Sequence, residues 1–106
     1  MAVPTLSPAE AQAWLAGPDP PQLLDCREPS EFAVCRLPGA VLIPLGELQE
    51  RFDEVDISRP VLVYCHHGVR STSAVVILQA LGLSAAHIRG GIEAWSLQVD
   101  PSVPRY

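Results

Sequence analysis

Basic residues are scarce in this chain: seven Lys and Arg stand against twelve Asp and Glu, for a net charge of −5 over 106 residues. The seven are scattered singly, so there is no basic stripe to neutralise a phosphate backbone, and nucleic acid is not an expected partner. Long apolar runs are missing too. None approaches the roughly 20 residues of a membrane span, and the first basic residue is Arg27, so no charged segment leads into a hydrophobic one. A cytoplasmic protein without a membrane partner is expected. Cysteine is sparse: Cys26, Cys35 and Cys65 are the only three. An odd, dispersed set does not suit a secreted disulfide framework, and without a C-x-x-C pair there is no standard zinc spacing. Neither a metal nor a cofactor is expected.

Apolar residues, in contrast, make up 48% of the chain, enough to fill one compact core, so residues 1–106 are expected to form a single domain. The eleven prolines fall mostly between apolar runs and read as turn and cap residues. Ser7-Pro8-Ala9-Glu10 is a capping box with proline at the first helical position, predicting a helix from Pro8 to about Ala16. Short apolar runs at Gln22–Asp25, Ala40–Ile43, Val61–Tyr64 and Ala86–Ile88 read as strands, with a helical turn at Pro29–Phe32. Leu45, Leu48 and Phe52 recur at helical spacing, which predicts one amphipathic helix over 45–55. Ser71–Leu81 reads as a buried helix closed by Gly82, and Ile92–Leu97 as a last short helix after Gly90-Gly91. Strands alternating with helices argue for an α/β fold with a parallel sheet covered on both faces, whose functional groups gather where strands end and helices begin.

Cys65 stands at such a place. The segment Cys65-His66-His67-Gly68-Val69-Arg70-Ser71 joins the strongest strand to the most apolar helix, so its amides should converge at a helix N-terminus and cradle an anion. A thiolate there is stabilised by N–H groups, by the positive end of the helix dipole and by the nearby guanidinium of Arg70, which lowers its pKa. Gly68 supplies the positive φ of a tight loop, and Arg70 can offer its fork to an oxyanion such as thiosulfate. Adjacent His66 and His67 point apart in most loops and are expected to shape the loop and present backbone N–H groups. A Cys–His nucleophile pair is the alternative. Asp25 and Arg27 end the first strand read here and are candidates for an ion pair that supports the loop. Cys26, between them, is expected to face the core, with a role as resolving thiol as the alternative. Trp14 and Trp95 read as packing residues.

The pattern Cys65-x-x-Gly68-x-Arg70-Ser71 resembles the active-site loop of rhodanese-homology domains. Asp25-Cys26-Arg27-Glu28-Pro29-Ser30-Glu31-Phe32 is similar to that family's D-x-R-x-x-x-E-F/Y stretch, Leu37-Pro38-Gly39-Ala40 to its I-P-G-A turn, and Gly90-Gly91-Ile92-Glu93-Ala94-Trp95 to its G-G-x-x-x-W signature. The match keeps order and spacing over about residues 5–98, but Cys35-Arg36 stands where the family often has Gly-His. The resemblance implies a rhodanese-like three-layer α/β domain with a mainly parallel five-stranded sheet and helices on both faces. It implies a sulfurtransferase with Cys65 as the catalytic residue, carrying sulfane sulfur as a persulfide. The backbone of His66, His67, Gly68, Val69 and Arg70 would then bind the substrate. The partners are expected to be a small thiosulfate-like donor and a thiol or cyanide acceptor. A sulfur-relay protein is also entertained, because the segment Val99–Tyr106 resembles the ends of rhodanese domains fused to sulfur-carrier adenylyltransferases.

Two rivals are open. Phosphatases and arsenate reductases also use a cysteine loop closed by arginine, but they place five residues between the two, whereas Cys65 and Arg70 enclose four. A ring that small suits one sulfur atom. A rhodanese-like module without chemistry is the other, and such modules usually lack the cysteine.

Overall fold

The computed structural model describes residues 3–106. Five strands, β1 (Thr5–Leu6), β2 (Gln22–Asp25), β3 (Val41–Leu42), β4 (Val61–Tyr64) and β5 (Ala85–Ile88), form one sheet in the order β1-β5-β4-β2-β3. Each of the four pairings is parallel. The longer helices are α1 (Pro8–Leu15), α2 (Pro29–Val34), α4 (Val69–Ala80) and α5 (Gly91–Gln98), with a single turn α3 (Leu48–Arg51) between two 3₁₀ turns. Among the described residues, no helix is long and apolar enough to cross a membrane.

Side-chain alternation along β4 divides the core in two. Val61, Val63 and Cys65 point into one layer with Leu48, Ala74, Val75 and Leu78 from α3 and α4. Leu62 and Tyr64 point into the other, with Ala11 from α1 and Ile92 and Trp95 from α5. All four β4 residues are buried, as a central strand with helices on both faces requires. The chain runs outward from β2 to the β3 edge and then returns to β4 and β5, so β2 and β4 flank the point where strand order reverses. In parallel sheets the crevice beyond such a point is where ligands bind.

The capping box at α1 is present, with Ser7 Oγ accepting from the Glu10 amide at 3.1 Å and Glu10 Oε1 accepting from the Ser7 amide at 2.8 Å. Three readings differ in detail. β1 was not legible, because two residues carry no periodicity; Thr5 and Leu6 are strand only through their pairing with His87 and Ile88. The helix expected over 45–55 is broken into Leu45–Glu47, Leu48–Arg51 and Phe52–Glu54, although Leu48 is buried as its spacing predicts. The helix expected from Ser71 begins two residues earlier at Val69, because Gly68 caps it at φ +94°.

The segment after α5 does not run free. Ser96 Oγ donates to the Val103 carbonyl at 2.7 Å, and Val103 is buried in the core layer under α5. This return carries Tyr106 to the end of the sheet where β2 and β4 finish.

Gly91 fixes how closely α5 approaches that end. It sits at φ +62°, and a Cβ there would collide with the carbonyl groups of Cys65 and His66. The close contact lets the Ile92 amide donate to Cys65 O at 2.8 Å and the Glu93 amide to His66 O at 3.1 Å. Gly91→Ala is therefore expected to lower stability by about 2–3 kcal/mol, from backbone strain plus the forced separation of α5 and the loop. Chemical denaturation of the variant beside the natural chain measures it; an unchanged midpoint would mean that the close approach is not required.

Candidate active site

Cys65 follows β4 directly and its sulfur is turned back toward the first turn of α4. Sγ accepts hydrogen bonds from the Gly68 amide at 3.1 Å and the Ser71 amide at 3.3 Å, and lies 3.4 Å from Ser71 Oγ. The left-handed Gly68 turns the chain sharply enough for both amides to reach one atom. Cys65 is 1% exposed in this closed arrangement.

Cys26 completes the surroundings. Asp25 is paired with Tyr64 in the β2–β4 ladder, and the Cys26 amide donates to Tyr64 O at 3.2 Å, so Cys26 and Cys65 continue the ladder one step past its last paired residues. Both side chains enter the same core layer. The Cys26 sulfur is 3.5 Å from the Tyr64 carbonyl oxygen, to which its S–H donates, and from the core layer it shares with Cys65 the S–H can turn to that sulfur once it is ionised. That neighbouring S–H, followed by the Ser71 hydroxyl and the two amides, outweighs burial and lowers the Cys65 pKa to about 4. The same contact and burial push the Cys26 thiol up, so the pair holds one charge, on Cys65.

The remaining sequence candidates are placed differently from one another. Arg70 lies over the loop, but its fork is engaged by Glu31, NH1 with Oε1 at 2.6 Å and NH2 with Oε2 at 2.9 Å. An incoming oxyanion would meet a guanidinium already paired. That bond, with the Tyr106 hydroxyl donating to Oε2 at 2.7 Å, holds the Glu31 carboxyl down at about 2. Val69 points its side chain outward, 77% exposed, so it can serve a ligand only through its backbone. His66 and His67 stack on each other with ring centroids 3.8 Å apart, and His66 stacks on Tyr106 at the same separation. With Glu93 they offer three donor atoms within 4.8 Å. Glu93 is also paired with Arg105, and its other carboxylate oxygen lies 4.0 Å from His66 Nε2.

Asp25 and Arg27 form a bidentate ion pair with both side chains fully buried, the closest contact being 2.7 Å. Arg27 also donates to the Cys35 carbonyl at 2.6 Å and to the Tyr106 hydroxyl at 2.7 Å. Its link to the loop is indirect, through Tyr106 and the ring of His66. Cys35 lies in the opposite core layer from Cys65, near Leu37 and Tyr64, too far across the sheet to meet it.

Sequence reasoning missed Ser71 as a partner of the sulfur, Glu31 as the partner of Arg70, His87 and Tyr106. Ser71 and Glu31 stand inside motifs that were noted. His87 and Tyr106 carry no local signal, because their contacts join positions 16 and 75 residues apart in the chain. A cavity of about 310 Å³ lined by Gln12, Leu15, Ala16, Pro38 and Trp95 opens on the α1–α5 face and includes none of the groups around Cys65.

The family described as Rhodanese-like domain matches residues 7–98. The chain is 34% identical over 105 residues to the probable adenylyltransferase/sulfurtransferase MoeZ of Mycobacterium tuberculosis, covering 96% of this chain and 27% of that protein. It is 39% identical over 87 residues to the adenylyltransferase and sulfurtransferase UBA4 of Yarrowia lipolytica, covering 79% of this chain and 22% of that protein. The chain thus spans about a quarter of the length of these relatives. Among solved structures, a rhodanese-like domain protein from Staphylococcus aureus superposes with a TM-score of 0.84 at 27% identity, covering 97% of this chain and 98% of that one.

The low pKa of Cys65 is testable without a substrate. Iodoacetamide alkylation followed against pH should titrate far below the free-thiol value of about 8.5. In Cys26→Ala, which removes the largest stabilising contact, the midpoint should rise by about one unit, equivalent to tenfold less thiolate at a pH below both midpoints. A Cys26→Ala profile identical to that of the natural chain would mean that this S–H does not reach the Cys65 sulfur.

Proposed function

The chain belongs to the rhodanese-like domain family, and from that premise we propose that it is a sulfurtransferase that carries one sulfane sulfur on Cys65. The observation that carries the reading is the sulfur of Cys65 held by the Gly68 and Ser71 amides with its pKa lowered to about 4, a thiolate at neutral pH. A thiolate attacks sulfur; a thiol does so poorly.

The reaction runs in two halves. The Cys65 thiolate bonds to the outer sulfur of a thiosulfate-like donor, the donor's S–S bond breaks, and sulfite leaves with the electron pair. Cys65 then holds a persulfide whose outer sulfur carries the charge. An acceptor thiolate or cyanide bonds to that outer sulfur, and the electron pair of the breaking bond returns to Sγ. The amides of Gly68 and Ser71 meet Sγ whenever it bears charge, at the start and the end of the cycle, and need no reorganisation to do so. Arg70 adds positive charge while fixed to Glu31, acting by position rather than by bidentate grip. Because Cys65 is 1% exposed, donor access requires the loop to open.

The relatives named as adenylyltransferases and sulfurtransferases support a sulfur relay, with another protein as donor or acceptor, as the physiological setting. The four residues between Cys65 and Arg70 favour sulfur over a phosphoryl group, whose three oxygens need donors around a wider ring.

Intact-mass measurement after incubation with thiosulfate tests the reading. The chain should gain the mass of one sulfur atom and lose it on addition of cyanide or a thiol. Cys65→Ser should fold and gain nothing, whereas Cys35→Ser should behave as the natural chain does. A gain on Cys65→Ser would refute the assignment of the carrier. An aryl phosphate offered in parallel should be left intact, and phosphatase turnover without sulfur gain would replace the sulfurtransferase reading.

A further inference from the structure

Beside Cys65 lies an unbroken row of hydrogen-bonding groups. Sγ of Cys65 is 3.4 Å from Ser71 Oγ, and Ser71 Oγ is 2.8 Å from His87 Nδ1. His87 Nε2 is 3.1 Å from Thr5 Oγ1, and that hydroxyl donates to the Val3 carbonyl at 2.8 Å. Ser71 is fully buried and His87 is 6% exposed, so water does not compete along the inner part of the row. The row joins α4, β5 and β1, with Thr5 and His87 held opposite each other by strand register.

Counting hydrogens sets its direction. The Val3 carbonyl cannot donate, so while that bond is made the one hydroxyl hydrogen of Thr5 goes to it. Thr5 Oγ1 then only accepts from His87, which places a hydrogen on Nε2. With that hydrogen on Nε2, the inner end has two consistent settings. With Cys65 as a thiol, S–H donates to Ser71 Oγ, the Ser71 hydroxyl donates to a bare Nδ1, and the imidazole is neutral. With Cys65 as a thiolate, the Ser71 hydroxyl turns to donate to Sγ, and its oxygen accepts from a hydrogen on Nδ1. Both ring nitrogens then carry hydrogen. The two settings differ by one proton moved from Sγ to Nδ1 through one hydroxyl.

We propose that Cys65, Ser71 and His87 form a buried proton relay, in which His87 stores the proton that Cys65 releases on becoming a nucleophile. Its part in turnover rests on the sulfurtransferase reading. When the acceptor takes the outer sulfur and the electron pair of the breaking S–S bond returns to Sγ, the Ser71 hydrogen backed by the imidazolium meets that charge. His87 touches neither donor nor acceptor and acts on the sulfur through Ser71. The groups facing the relay are Cys26 and Arg70 around Cys65, and Arg89 beside His87. Burial, the largest influence, together with Arg89 holds the His87 pKa below its ordinary value, and the charge on Cys65 opposes them. The imidazolium thus depends on the thiolate it serves, and the dependence is reciprocal.

Reciprocity gives the test, on the full chain and with no sulfur donor present. Imidazole NMR of histidine-labelled protein should show His87 keeping its proton to a pH at least one unit higher in the natural chain than in Cys65→Ser, a tenfold difference in proton affinity. In His87→Asn, which keeps a hydrogen-bonding group near Ser71 but takes up no proton, the midpoint of Cys65 alkylation should rise by about one unit. Equal His87 titrations in the natural chain and Cys65→Ser overturn the relay, as does an unshifted alkylation profile in a folded His87→Asn. If His87→Asn does not fold, the NMR comparison decides alone. Since neither readout involves sulfur gain, failure of the relay and failure of the sulfurtransferase reading are separately visible.

Discussion

Everything at this site depends on how closely α5 presses on the loop after β4. The carbonyl groups of Cys65 and His66 are taken by the first amides of α5, and only a residue without Cβ at position 91 allows that distance. With its carbonyl groups tied on one side, the loop turns its Gly68 and Ser71 amides the other way, onto Sγ. The donors around the sulfur are therefore fixed by backbone geometry before any substrate arrives. This explains why a glycine pair about 25 residues from Cys65 belongs to the same functional unit as the cysteine itself.

A second network holds the loop from outside. Arg27 is fully buried, and a buried guanidinium is tolerated only when its donors are satisfied. Asp25, the Cys35 carbonyl and Tyr106 satisfy them. Tyr106 in turn donates to Glu31, which grips Arg70 at the start of α4, and its ring stacks on His66. One continuous set of charge-assisted hydrogen bonds thus joins the end of β2, α2, the segment after α5 and the helix that caps the sulfur. Because the Glu31 carboxyl is held down at about 2, its contribution is complete above the ordinary carboxylate range and fades only as pH falls toward that value. The thiolate of Cys65 follows the same sign over a wider window, from the free-thiol value of about 8.5 down to about 4.

The layered sheet, the capping box and the place of Cys65 were legible in the sequence because each rests on local chemistry. Alternation of Val61, Leu62, Val63 and Tyr64 between two core layers follows from strand geometry, and Ser7 with Glu10 from helix capping. What was not legible depends on tertiary distance. Thr5–Leu6 becomes a strand only when β5 lies beside it. Arg70 looks like a free anion receptor until Glu31, on another helix, arrives opposite it. Cys26 read as a core residue and is one, but the continuing β2–β4 register also places it in the same layer beside Cys65. Cys35 has the same side chain and is also buried, yet it lies on the other face of the sheet from Cys65.

That contrast bears on how a chain of net charge −5 keeps a thiolate in its interior. No surplus of basic residues does it. Arg70, in the first turn of α4, has its fork engaged by Glu31. The anion is held instead by short-range hydrogens: two amides, one hydroxyl and one thiol, all within a buried volume where each is worth more than in water. Hydrogens of this kind act over one bond length and discriminate by position. In the proposed transfer, a sulfur added to Cys65 would carry its charge one atom outward, beyond the hydrogens from Cys26 and Ser71 that serve the inner atom. The same short-range design that lowers the Cys65 pKa therefore favours the state in which Sγ itself is charged, and in the proposed transfer it would favour giving the second sulfur away.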